Sequence, residues 1–148
     1  MKTEKYHLDS ESSLTSFEFT SQGPKGAIRK RIEFQPTDAP DVYNLAFGDK
    51  NLATGEIDDL IVSDNGDTNK VLATVTESVY TFLDNHPYAF VYATGSTTAR
   101  TRLYRMGIVR FYNQAKEDFY LYGQIGEDFV VFESGKEYKG FLVQRKFD

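Results

Sequence analysis

The residues best suited to do chemistry are Gly95-Ser96-Thr97-Thr98-Ala99-Arg100-Thr101-Arg102, with Arg105 one turn on. They follow an apolar run and open a helical pattern. A helix start offers unpaired backbone N–H groups and the positive end of the helix dipole, so it favours anions. The Ser96, Thr97 and Thr98 hydroxyls add donors, and Arg100, Arg102 and Arg105 add forked contacts to phosphate or carboxylate. The plain alternative is a Gly95 turn, a Ser96 cap, and arginines that face solvent or pair with acids.

Two further constellations are weaker. Residues 85–115 hold Arg100, Arg102, Arg105 and Arg110 and no acid, interleaved with Tyr88, Tyr92, Tyr104, Phe111 and Tyr112. Cations with stackable rings suit single-stranded nucleic acid, although a core role for the rings is the simpler reading. Residues 32–69 hold Glu33, Asp38, Asp41, Asp49, Glu56, Asp58, Asp59, Asp64 and Asp67 against Lys50 alone. Converging carboxylates can hold a divalent cation, but Asp is also an ordinary turn residue and no EF-hand spacing is present, so no metal site is assigned. Asp58 and Asp59 are adjacent, which on a strand sends them to opposite faces. His86 before Pro87 reads as a solvent-facing loop residue.

Other chemistries are excluded. The chain has no Cys, so thiol nucleophiles, disulfides and thiolate metal sites are impossible. His7 and His86 are the only imidazoles, which removes two-histidine metal motifs. Neither a GxSxG elbow nor a glycine-rich phosphate loop occurs. No dedicated cofactor is expected. No apolar run approaches a bilayer span and the polar N-terminus is unlike a signal peptide, so a cytoplasmic protein without membrane contact is expected. Whether the protein is an enzyme, and its oligomeric state, stay open.

These residues need a scaffold, and 148 residues with 40% hydrophobic and 15% aromatic content suffice for one domain, expected over 1–148 with a ragged start over 1–13. Phe17 and Phe19 alternate with polar residues up to a Ser21-Gln22-Gly23-Pro24-Lys25-Gly26 turn. Ile28, Ile32 and Phe34 form the apolar face of the next strand, and Lys30 interrupts it, which suggests a sheet edge. Tyr43, Leu45 and Phe47 make a third strand, and Leu60-Ile61-Val62 a short one. Val71, Leu72, Val75, Val79, Phe82 and Leu83 recur at helical spacing, capped at Asp67 or Thr68 and stopped by Asn85-His86-Pro87. Ala89–Ala93 reads as a central strand. A second helix begins near Thr97 with Leu103 and Met106 inward, and Gly107 either ends it or sits inside it. Three strands follow, over Phe119–Tyr122, Phe129–Phe132 and Gly140–Val143. The expected fold is therefore α+β, a mixed and mostly antiparallel sheet with two main helices and one parallel crossover.

Three stretches carry a family resemblance: Tyr43-Asn44-Leu45-Ala46-Phe47-Gly48-Asp49, Asp64-Asn65-Gly66-Asp67 with Lys70–Val75, and Gly95-Ser96-Thr97 with Ala99–Tyr104. Together they resemble an uncharacterised family of small bacterial proteins, a domain of unknown function, over nearly the whole chain. That resemblance implies no activity. The order strand, turn, helix, strand, then Ala99-Arg100 through Leu103-Tyr104-Arg105-Met106-Gly107-Ile108, is loosely similar to the C-terminal half of the GNAT acetyltransferases. That similarity implies a pyrophosphate-cradling turn at Asp64–Asn69, where this chain has one Gly and two carboxylates.

The expected function is a binding module for a phosphate- or carboxylate-bearing ligand, a nucleotide among them, or for an acidic partner, at Gly95–Arg105. Alternatives are a divergent acyl-CoA-dependent or nucleic-acid-directed enzyme, and a protein-interaction domain of a bacterial partner pair. The net charge of -5 hides a polarity, because the first half carries most of the acids and residues 85–115 only arginines.

Overall fold

A computed structural model describes residues 4–58, 64–95 and 98–147. Strands β1 (Asp9–Ser10), β2 (Ser16–Gly23), β3 (Gly26–Pro36), β4 (Val42–Lys50) and β5 (Ile57–Asp58) come first. Helix α1 (Thr68–Asn85), β6 (Phe90–Ala93), α2 (Thr98–Arg110) and α3 (Tyr112–Asp118) form the middle. β7 (Phe119–Ile125), β8 (Asp128–Val131) and β9 (Gly140–Arg145) end the chain. The nine strands among the described residues join one sheet in the order β1-β2-β3-β4-β6-β9-β7-β8, with β5 paired to β4. Among the described residues only β4 and β6 are parallel, as the crossover through α1 requires. The fold is α+β with a mixed, mostly antiparallel sheet. The predicted strand Leu60-Ile61-Val62 lies outside the described residues.

The helices cover one face. Phe17, Phe19, Ile32, Phe34, Leu45, Phe47, Val91, Phe141 and Val143 alternate inward along their strands and meet Val71, Val75, Phe82 and Leu83 of α1. Phe82 stacks on Phe34 with ring centroids 4.3 Å apart and meets Tyr43 edge-on at 5.0 Å. Truncating so buried a ring costs about 3–5 kcal/mol. The helix ends where the His86 N–H donates to the Phe82 carbonyl and Pro87 follows. His86 is not a bland loop residue, because its ring stacks on Phe82 at 4.5 Å.

Several sequence expectations are corrected. β3 is interior, between β2 and β4, and Lys30 is no edge marker: it is buried and meets the Asp49 carboxylate at 2.5 Å, directly across the register. Residues 4–13 are docked, not ragged, since the Tyr6 N–H donates to Thr74 Oγ1 and β1 pairs with β2. α2 runs through Gly107, and Met106 points outward while Arg100 and Tyr104 are its buried residues. A third helix, α3, is polar apart from Ala115 and has no apolar stripe to announce it. Among the described residues no helix is long and apolar enough to cross a membrane.

Candidate functional site

The sheet opens at one place. Register between β4 and β6 runs Val42↔Phe90, Tyr43↔Val91 and Asn44↔Tyr92 and then stops, while β4 continues to Lys50. β5 rejoins that edge only at Asp49 and Lys50. Between Asn44 and Asp49, β4 therefore has no described strand partner on this side. The parity of the ladder says what it presents there. The Phe34 N–H donates to Thr15, on the β2 side, so the Phe34–Leu45 pair exchanges no ladder bonds and Leu45 turns its backbone groups away from β3. Phe47, two residues on, does the same.

The resulting cleft holds about 500 Å³ and is lined by Glu33, Gln35, Asn44, Glu56, Thr94, Gly95, Arg100 and Tyr104 around the Leu45–Phe47 backbone. Arg100 reaches from α2 across it. One guanidinium nitrogen donates to the Phe47 carbonyl and the other to the Asp58 carbonyl at 3.0 Å. Gly48 leaves room for this, because a Cβ there would stand 2.9 Å from both guanidinium nitrogens. Gly95 lets the start of α2 press on the end of β6, since its Cβ would fall 2.2 Å from the Arg100 Cβ. The Gly95 N–H donates to Thr101 Oγ1 at 3.0 Å. A buried guanidinium is tolerable only when hydrogen-bonded, and carbonyl oxygens supply that here. It closes the gap between β4 and β5 and fixes a positive charge at the cleft floor.

The predicted anion-site residues therefore divide. Gly95 and Arg100 face the cleft. Thr98, Arg102 and Arg105 line a separate recess of about 100 Å³ with Glu137 and Tyr138. Ser96 and Thr97 lie outside the described residues. Arg102 is exposed, and no ion pair to Arg102 or Arg105 is present among the described residues. On its other side Arg100 borders a recess of about 290 Å³ that also holds Lys30, Asp49, Asp64 and Asp67.

The turn before α1, likened to a phosphate cradle, is occupied by its own network. Asp67 Oδ2 accepts from the Tyr6 hydroxyl at 2.6 Å and the Ser21 hydroxyl at 2.5 Å, and makes no side-chain cap bond to the helix. Burial, reinforced by the Asp67 hydrogen bond, raises the Tyr6 phenol above its ordinary value. Buried Asn65 donates to the Gly26 carbonyl at 2.9 Å and accepts from the Lys25 N–H at 2.7 Å. The turn is thereby pinned to the β2–β3 hairpin.

The ring-and-cation pattern over 85–115 separates in space. Tyr104 and Phe111 are buried under α2, while Tyr92 alternates with inward Val91 and so sits on the opposite face of the sheet from the arginines. They form no common groove. The acidic stretch also disperses: Glu33 bonds Arg31, Asp49 bonds Lys30 and Asp67 the hydroxyls. Among the described residues no three carboxylates or imidazoles gather to hold a metal ion. Asp59 lies outside the described residues, and Asp58 contributes its backbone carbonyl to Arg100.

Sequence reasoning found Gly95 and Arg100, named Glu56 only among the acids of the 32–69 stretch, and missed Gln35 and Asn44 as lining residues and the β4 edge between Asn44 and Asp49. Their signal was the motif Tyr43–Asp49 itself, where Ala46 and Gly48 thin the outer face of a strand.

The chain belongs to a family of unknown function, DUF6934, which it matches over residues 2–146. No curated protein and no solved structure matches it.

Proposed function

We propose that the protein is a binding domain for a small anionic molecule seated where β4 and β6 part. The single observation that supports this is the cleft: about 500 Å³, polar, with Gly95 and Arg100 in its lining. The fixed guanidinium favours a phosphate or carboxylate beside it. Glu33, Gln35, Asn44 and Glu56 favour hydrogen-bond donors on the remainder of the ligand, such as hydroxyl or amide groups. The test is an amide-shift titration with inorganic phosphate, a nucleotide and coenzyme A in parallel. Saturable shifts at Ala46, Phe47 and Gly95 are expected for at least one of them. Unmoved amides at all three positions for every ligand would sink the reading.

A second reading is an acyl-CoA-dependent transferase, and the stretch of β4 between Asn44 and Asp49 that has no described strand partner on this side favours it, because an extended amide-bearing arm could pair there with the backbone groups that Arg100 does not already hold. The carboxylates of Asp64 and Asp67 at the preceding turn weigh against a pyrophosphate there. Thiol release from acetyl-CoA in the presence of amine acceptors decides between the two.

A further inference from the structure

A second space lies behind the cleft, between the helices and the sheet. It is a recess of about 80 Å³, walled by α1, α2 and α3 on one side and by β4, β6, β7 and β9 on the other. Leu72, Val75, Val91, Leu121 and Val143 are among its lining residues. The Thr76 hydroxyl is turned to its own helix, donating to the Leu72 carbonyl at 2.8 Å. Packed interiors hold few voids larger than a water molecule. This one has room for about three methylene groups, taking roughly 30 Å³ for each water-sized unit.

Two observations tie the recess to a ligand. Leu45 and Tyr104 line both the recess and the polar cleft, so the two spaces stand back to back across this pair of side chains. Gly107 also lines the recess, inside α2, at a place where the backbone does not demand glycine. Its φ is not positive, and a Cβ there would meet Leu72 Cδ2 at 3.4 Å, an ordinary contact. Gly48 and Gly95 differ, because a Cβ at either would press on Arg100. Glycine weakens a helix interior relative to alanine, so at position 107 it keeps space open at the helix's expense.

We propose that cleft and recess are two parts of one site, and that its ligand carries a short aliphatic tail on its anionic group. The phosphate or carboxylate sits beside Arg100, and an unbranched tail of about three carbons passes Leu45 and Tyr104 into the recess. This rests on the reading of the cleft as an anion site and adds the chemistry of the tail. The hydroxyl or amide groups that suit Glu33, Gln35, Asn44 and Glu56 belong to a second arm of the ligand. A polar tail end would be buried without a partner, whereas each methylene taken from water tightens binding about fourfold. Entry needs a side-chain rotation at Leu45 or Tyr104 and no backbone movement, and such rotations commonly accompany binding.

The test is a shift titration of the full chain with inorganic phosphate and with methyl, propyl and hexyl phosphate. Affinity read at the Ala46, Phe47 and Gly95 amides is expected to rise about fourfold per methylene up to propyl, with no further gain for hexyl. The Leu72, Val91 and Leu121 methyl groups should move with propyl phosphate and not with inorganic phosphate. Gly107→Ala and, separately, Ala115→Val narrow the recess and alter no residue of the cleft's lining. In either folded variant the advantage of propyl over inorganic phosphate should fall at least about fourfold, while inorganic phosphate binds as before. Equal affinity for inorganic and propyl phosphate, a gain that continues to hexyl, or an undiminished propyl advantage in both folded variants overturns the tail and leaves the anion reading standing. Cleft amides that move with a nucleotide or coenzyme A but with no alkyl phosphate do the same. Silence to every one of these ligands overturns both.

Discussion

The two halves of one sheet solve the same problem differently on the face away from the helices. Over β2–β4 that face is an ion-pair lattice. Glu18 accepts from Arg29 at 3.1 Å, Arg31 at 2.8 Å and Lys50 at 3.0 Å, and Arg31 also reaches Glu33 at 2.6 Å. Over β6, β9, β7 and β8 the equivalent positions are Tyr92, Leu142, Tyr122 and Val131. Inner faces are alike, so burial against the helices cannot explain the contrast. One half satisfies its outer face with ion pairs within the chain, and the other leaves Val131, Tyr120 and Phe129 exposed. The lattice is finished and the aromatic row is not. The seam between them is the place where β4 and β6 part, and there Arg100 ties α2 to β4 and β5.

The largest effect is expected at that seam. Arg100→Met keeps the apolar stem but removes the donors to the Phe47 and Asp58 carbonyls. Leaving buried acceptors in this state costs about 2–4 kcal/mol. Chemical denaturation should show that loss, and amide shifts should change on β4 and β5 more than on β7 and β8. A loss below about 1 kcal/mol would mean that α2, β4 and β5 hold together without the guanidinium.

Next in size is the lattice. Burial tends to raise the Glu18 carboxyl, but hydrogen bonds from Lys50, Arg29 and Arg31 outweigh it and hold the group below its ordinary value of 4.5. A depressed folded value means that Glu18 contributes its full stability above pH 4.5 and loses it as pH falls through the lower, folded value. Glu18→Gln should cost about 1–2 kcal/mol near neutrality, with the gap to wild type closing in acid. Thermal melts across the acid range measure this. A gap that stays constant with pH would show that the lattice works by packing and not by charge.

What was legible in the sequence follows the same division. Phe17/Phe19, Ile32/Phe34 and Leu45/Phe47 alternate with charged or small residues, so the inner face of β2–β4 could be read directly. The Ala89–Ala93 run is apolar on both parities, and such a run cannot say whether its second face is covered by the same chain, by another, or by nothing. Lys30 was misread because its partner, Asp49, is 19 residues away and becomes adjacent only through register. Arg100 was read as an outward anion ligand and Met106 as inward. The phase of α2 is set by Gly48 and Gly95, which admit Arg100, and a helical wheel does not contain that information. The cleft likewise needs the point where two strands stop pairing, which no local pattern marks.

The smallest expected effect is the sharpest probe of the comparison. Val131→Thr is close to isosteric and replaces one exposed methyl of the aromatic row by a hydroxyl. That hydroxyl reaches water, because Val131 is 72% exposed, so stability should stay within about 0.5 kcal/mol of wild type. The same exchange at Val91, 1% exposed on the inner face of the adjoining strands, buries the hydroxyl and should cost about 1–3 kcal/mol. Denaturant melts of both variants give the ratio directly. If Val131→Thr proves as costly as Val91→Thr, the outer row already belongs to the core of a single chain, and the contrast between a finished half and an open one fails.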